Sequence, residues 1–187
     1  IDPATGVLNF KPAADVFGVF KFEVVLVDGD ADNDPRGDLN SSIPITIAID
    51  IRPVNDPPID QNPIDLNREI AEDSTTEWDE ATLLAPFVVG PDNEFAQTNG
   101  GDQTLQLSPT AFPTDSSNGG RVDYVDVNGE LKLRYTPRVD FNGTDEFIYT
   151  VVDNGQSVGV DGTIYDEPTV ATKTVTVEVL AVNDKPR

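Results

Sequence analysis

The chain has 187 residues, 34 of them acidic and 12 basic, for a formal net charge of −22 at pH 7. That balance argues against nucleic acid and anionic membrane surfaces as partners, because both are polyanions that need a basic face. Cys, His and Met are all absent, which removes disulfides, thiolate chemistry and imidazole catalysis, and no run approaches the ~18 apolar residues of a membrane span.

Without Met at residue 1, the chain reads as an internal piece of a longer protein. Its acidity does not mark disorder, because Val, Ile, Thr, Phe and Tyr recur in alternation along its length. Solubility, a high-salt habitat or bound cations can explain so many Asp residues, and Ca²⁺ favours carboxylate and carbonyl oxygens.

In chain order, "FKFEVVLV" (20–27) and "IPITIAIDI" (43–51) have the period of half-buried strands, with Thr46 and Asp50 facing water. "EWDEATLL" (77–84) suggests a short helical turn. "QTLQLS" (103–108), "RVDYVDV" (121–127) and "LKLRYT" (131–136) add three strands, and Asn128-Gly129 between the last two marks a tight hairpin. "EFIYTVV" (146–152) and "TKTVTVEV" (172–179) close the series, with Thr174, Thr176 and Glu178 facing outward. Strand count, turn spacing and missing helical periodicity predict an all-β, antiparallel Greek-key β-sandwich, in tandem.

The tandem organisation is visible as a repeat. "VNDPP" (54–58) and "VNDKP" (182–186) each follow a strand. Upstream, Pro12, Asp15, Gly18, Phe22 and Asp28 align with Pro137, Asp140, Gly143, Phe147 and Asp153, and Ile47, Ile49 and Ile51 align with Val175, Val177 and Val179. Residues 1–56 therefore read as the C-terminal half of one repeat, and 57–187 as a complete repeat ending in the next linker. Half a sandwich exposes sheet edges and an apolar face, so residues 1–56 need either preceding sequence or another chain to complete them.

The ordered pattern of Gly143, Phe147, Tyr149, Val151, Asp153 and Gly155, a Thr/Val-rich last strand and then V-N-D-x-P resembles the bacterial cadherin-like (Ig-like) tandem repeats of large surface and adhesin proteins. "EIAEDST" (69–75) and "LLAPFVVGPDNE" (83–94) are similar to further phrases of that family. The resemblance covers nearly the whole chain. It implies a structural repeat of an extracellular bacterial stalk or filament, stiffened by Ca²⁺ at its junctions, with neighbouring repeats or other copies of itself as partners. It implies neither nucleic-acid binding nor membrane insertion.

Carried over residue by residue, the resemblance implies Asp15, Asn55, Asp56, Asp92, Glu94 and Asp153 as metal ligands at the first junction. Glu72, Asp140, Asn183 and Asp184 would serve the second. The chain departs from the family's D-x-N-D-N-x-P phrase at Pro53 and Pro57, and at Ala181 and Lys185, which removes oxygen ligands.

Other features carry less. Asp28, Asp30, Asp32 and Asp34 alternate in an acidic loop, but neither possible register puts Gly sixth and Glu twelfth as an EF-hand requires. "RGD" (36–38) is short enough to arise by chance, and the sequons at 40–42 and 142–144 matter only in a eukaryotic secretory route. Trp78, the sole Trp, stands among acidic residues and reads as partly buried over the sandwich end rather than as a sugar platform. No catalytic arrangement stands out, so the chain reads as a non-enzyme. The competing readings are a glycan- or receptor-binding module of an adhesin, and a filament subunit completed by strands from another chain.

Overall fold

The computed structural model describes residues 1–2, 4–27, 41–92, 103–108 and 115–183. The acidic loop with Asp28–Asp34, the RGD triplet, Asn40, Glu94 and Asp184 lie outside the described residues. In chain order come β1 (Gly18–Val24), β2 (Ile45–Ile51), β3 (Ile59–Asp60), β4 (Arg68–Ala71) and β5 (Thr76–Asp79). A helical turn α1 (Glu80–Leu84) precedes β6 (Phe87–Val88), β7 (Leu105–Leu107), β8 (Arg121–Val127) and β9 (Glu130–Thr136). The series ends with β10 (Gly143–Asp153), β11 (Gln156–Val158), β12 (Ile164–Asp166) and β13 (Val170–Leu180). The chain is all-β.

A four-stranded sheet runs β4-β13-β10-β7 and a three-stranded sheet runs β5-β9-β8. Both feed one core. Trp78, Leu133, Tyr135 and Val122 come from the smaller sheet, and Phe147, Tyr149, Val151, Val175, Val177 and Val179 from the larger. Trp78 meets Phe147 edge-on with ring centroids 5.4 Å apart, and Tyr135 stacks on Phe147 at 6.0 Å. The alternation read in "EFIYTVV" and "TKTVTVEV" is the alternation of core and solvent here.

The first hairpin repeats the last one. Gly18 stands opposite Ile51 and Phe22 opposite Ile47, as Gly143 stands opposite Val179 and Phe147 opposite Val175. The turns entering both hairpins match as well. Asp15 and Asp140 each take φ 58°, and Gly18 and Gly143 take φ 114° and 117°. Glycine accepts that geometry because it has no Cβ; the two Asp residues tolerate the left-handed region through their short polar side chains.

Three expectations need correction. The sheets are not purely antiparallel: β4 pairs parallel with β13, from Arg68 beside Val177 to Ala71 beside Leu180. The helix is confined to Glu80–Leu84, because Thr76–Asp79 pairs with β9 and ladder hydrogen bonds claim that backbone. Trp78 is not partly but fully buried, at 1% exposure, and its Nε1 donates to the Leu66 carbonyl at 2.8 Å. The Asn128-Gly129 hairpin forms as expected, with φ 60° and 88°, and Asp126 Oδ1 accepts the Gly129 amide at 2.7 Å.

Candidate functional site

The linker after β2 does not hang in solvent. The Pro53 carbonyl accepts the Val158 amide at 3.0 Å, and the Asn55 amide donates to Ser157 Oγ at 2.8 Å. Asn55 is buried at 5% exposure, although the flanking Val54 is 56% exposed. Its side chain enters a socket made by the end of β10, by β11 and by the segment between β12 and β13. Asn55 Nδ2 lies 2.9 Å from Asp153 Oδ1, 2.8 Å from the Glu167 carbonyl and 3.1 Å from Thr169 Oγ1, so its two hydrogens serve three acceptors. Its Oδ1 accepts from Gln103 Nε2 at 2.9 Å. Both ends of one short amide are therefore satisfied, which burial of a polar group requires.

Asp153, 1% exposed, organises the socket. Besides Asn55, its Oδ1 accepts the amides of Gly155 at 2.9 Å and Thr169 at 3.1 Å. Its Oδ2 faces the Thr169 hydroxyl, which also lies 3.1 Å from the Asp56 carbonyl. Ser157, which receives the Asn55 amide, hydrogen-bonds through its own hydroxyl to Glu167. Gly155 gives the plug its room: a Cβ there would fall 1.7 Å from Asn55 Oδ1. This glycine is needed for a close approach, not for a turn.

Of the residues named from the sequence, Glu94 and Asp184 lie outside the described residues, and the others are placed as follows. Asn55 and Asp153 meet directly. Asp15 and Asp56 line one cavity of about 210 Å³, with Arg52 on its wall. Asp92 is exposed at the edge of the described residues. At the other end, Glu72 is buried at 7% exposure; its amide donates to the Leu180 carbonyl at 3.0 Å and its Oε1 accepts the Val182 amide at 2.5 Å. Asp140 is exposed in its left-handed turn, and Asn183 is exposed past β13.

The donor set at Asn55 and Asp153 does not suit a Ca²⁺ ligand role. The oxygens a cation would need already face N–H and O–H donors, and a cation would have to displace them. Among the described residues, no three acidic side chains gather as a metal-holding group.

The sequence reading missed Gln103, Gly155, Ser157, Glu167 and Thr169 as partners of Asn55. It also missed Asp145, a fully buried carboxylate in β10. Asp145 accepts from Tyr135 Oη at 2.7 Å, Ser117 Oγ at 2.9 Å and the amides of Asn118 at 2.8 Å and Glu146 at 2.9 Å, with Ser116 Oγ closer still. Burial pushes its pKa up, but the hydrogen bonds from Ser116, Tyr135, Asn118 and Ser117 outweigh this and hold it below the ordinary 3.8. The signal was present, because Asp145 stands in the core-facing parity of Phe147, Tyr149 and Val151.

A second cavity of about 480 Å³ opens beside the socket, between Gln106, Asn154, Gln156 and Asp166. The described residues lining it include no aromatic ring.

No protein-family model matches the chain, and no curated protein matches it. Among solved structures it is similar to an endo-fucoidan hydrolase of glycoside hydrolase family 107, at 15% identity and TM-score 0.32. That match covers 92% of this chain and 20% of the hydrolase chain. A superposition this loose carries no argument about fold or activity.

Proposed function

We propose that the chain is a structural spacer of an extracellular bacterial surface protein. In this reading residues 1–56 are the C-terminal half of one cadherin-like repeat and 57–187 are a complete repeat, each a Greek-key sandwich of the cadherin and Ig type. The strand order β4-β13-β10-β7 with β5-β9-β8 supports that sandwich, because it alternates between two sheets around one core. The role is mechanical and not enzymatic: it holds successive repeats at a fixed distance and angle within an adhesin stalk or filament.

One observation carries this reading, namely the Asn55 plug in the Asp153 socket. A linker held between prolines already has few conformations. Seating Asn55 removes most of those that remain, so the spacing between the repeats becomes fixed. Ca²⁺ enters the reading at Asp15 and Asp56, which would share a cation on the other side of the linker.

The glycan- or receptor-binding alternative would use the cleft beside the socket, whose described wall lacks the aromatic surface that sugar binding favours. The test of the spacer reading is small-angle scattering of the chain and of Asn55→Ala. The parent should give an envelope of fixed maximum dimension, and the variant a broader distribution of distances. Identical profiles would contradict the spacer reading.

A further inference from the structure

The two VND phrases differ in their surroundings, not in their residues. Asn55 is 5% exposed in its socket, whereas Asn183 is exposed. Yet the backbone leading to Asn183 is already held. The Glu72 amide donates to Leu180, and Glu72 Oε1 accepts the Val182 amide at 2.5 Å, so the chain is pinned one residue before Asn183. A buried carboxylate spent on fixing an exposed linker is costly unless the fixed linker has a use. Val54 and Val182 are also similarly exposed, at 56% and 45%, so the valine of the phrase flanks the plug and does not fill the socket.

From these observations, and resting on the spacer reading above, we infer that Asn183 is a second plug. Its partner is a β-domain carrying the socket seen around Asn55: an Asp ending one strand, Gly two residues on, Ser two further, and a Glu-x-Thr segment before the last strand. In this chain those positions are Asp153, Gly155, Ser157, Glu167 and Thr169. The chemistry is selective. The socket must supply a carboxylate and a carbonyl to the Asn183 amide nitrogen and a donor to its oxygen, and it must lack a Cβ where the amide lies. A domain with any larger residue at the Gly155 position cannot receive the plug.

The test extends the whole chain. Residues 60–187 are appended after Arg187, so that VNDKPR leads into a second socket as VNDPPI leads into the first. Side-chain amide hydrogen exchange of Asn183 is then measured by NMR, with Asn55 as the internal reference. The expected result is that exchange at Asn183 slows about tenfold or more relative to the unextended chain, approaching Asn55. Gly155→Ala in the appended copy alone should abolish that protection. Asn183→Ala should loosen the second junction in scattering and leave the first intact. Unprotected Asn183 beside a protected Asn55 would overturn this inference and leave the spacer reading standing. Loss of protection at both would overturn both. An appended copy that stays unfolded, as judged by the dispersion of its amide signals, would also count against the inference, because the socket would then not have accepted its plug.

Discussion

Two hairpins of this molecule share one register and have opposite fates. Phe147, Val151 and Val175 of the last hairpin are at most 3% exposed. Their first-hairpin counterparts are Phe22 and Ile47, which are half-buried, and Leu26, which is 74% exposed. Val27, Ile43 and Ile45 are likewise 70%, 85% and 63% exposed. The pairing is alike because the alternating pattern and the entering Asp-x-x-Gly turn are alike, and both are local. The burial differs because it depends on β4, β7 and the β5-β9-β8 sheet, which cover only the last hairpin. Strand pairing is written within a few residues; a core requires segments far away in the chain.

The largest effects should separate the hairpins. Phe147→Ala removes a ring that Trp78 meets edge-on and Tyr135 stacks on, and should cost about 3–5 kcal/mol in denaturant unfolding. Phe22→Ala should cost about 1 kcal/mol or less. Equal costs would mean that the first hairpin has a cover absent from this account.

Asp145→Ala strands the buried Tyr135 and Ser116 hydroxyls and should cost about 3 kcal/mol. Its first-hairpin counterpart, Phe20, is 40% exposed and should tolerate Ala. The same carboxylate sets a pH dependence. Because its folded pKa lies below 3.8, its contribution is fully present above that value and is lost as pH falls through the folded pKa. Acid unfolding of the parent should therefore show an extra loss of stability below about pH 4 that Asp145→Asn lacks.

At the junction the effects should be smaller. Asn55→Ala and Gly155→Ala each undo the plug and should cost about 2 kcal/mol in thermal or denaturant unfolding. Combined, they should cost little more than either alone, because they break one interaction. The smallest effect should come from Ca²⁺. Millimolar Ca²⁺ should raise the melting temperature slightly beyond an NaCl control of equal ionic strength, and Asp56→Ala should remove the increment.

Much of the fold was legible in the sequence. Strict alternation identified β2, β8, β9, β10 and β13, and Asn128-Gly129 fixed a hairpin. The repeated Pro12, Asp15 and Gly18 spacing reappears in the matched backbone angles of Asp15 with Asp140 and Gly18 with Gly143. The short pairs β3-β6 and β11-β12 and the parallel edge strand β4 were not legible, since two to four residues carry no period. Of the site, Asn55 and Asp153 could be named, because each belongs to a repeated phrase. Their relation could not. Ser157, Glu167 and Thr169 lie over 100 residues from Asn55, and nothing in their own neighbourhoods marks them as its partners.

The measurement that tests the junction most directly is ¹⁵N relaxation of the Val54, Asn55 and Asp56 amides in the intact chain. A seated plug requires order parameters of about 0.85, equal to those of β10 and β13. Values below about 0.6 at these three amides would contradict it, because a linker that mobile cannot keep Asn55 in the Asp153 socket.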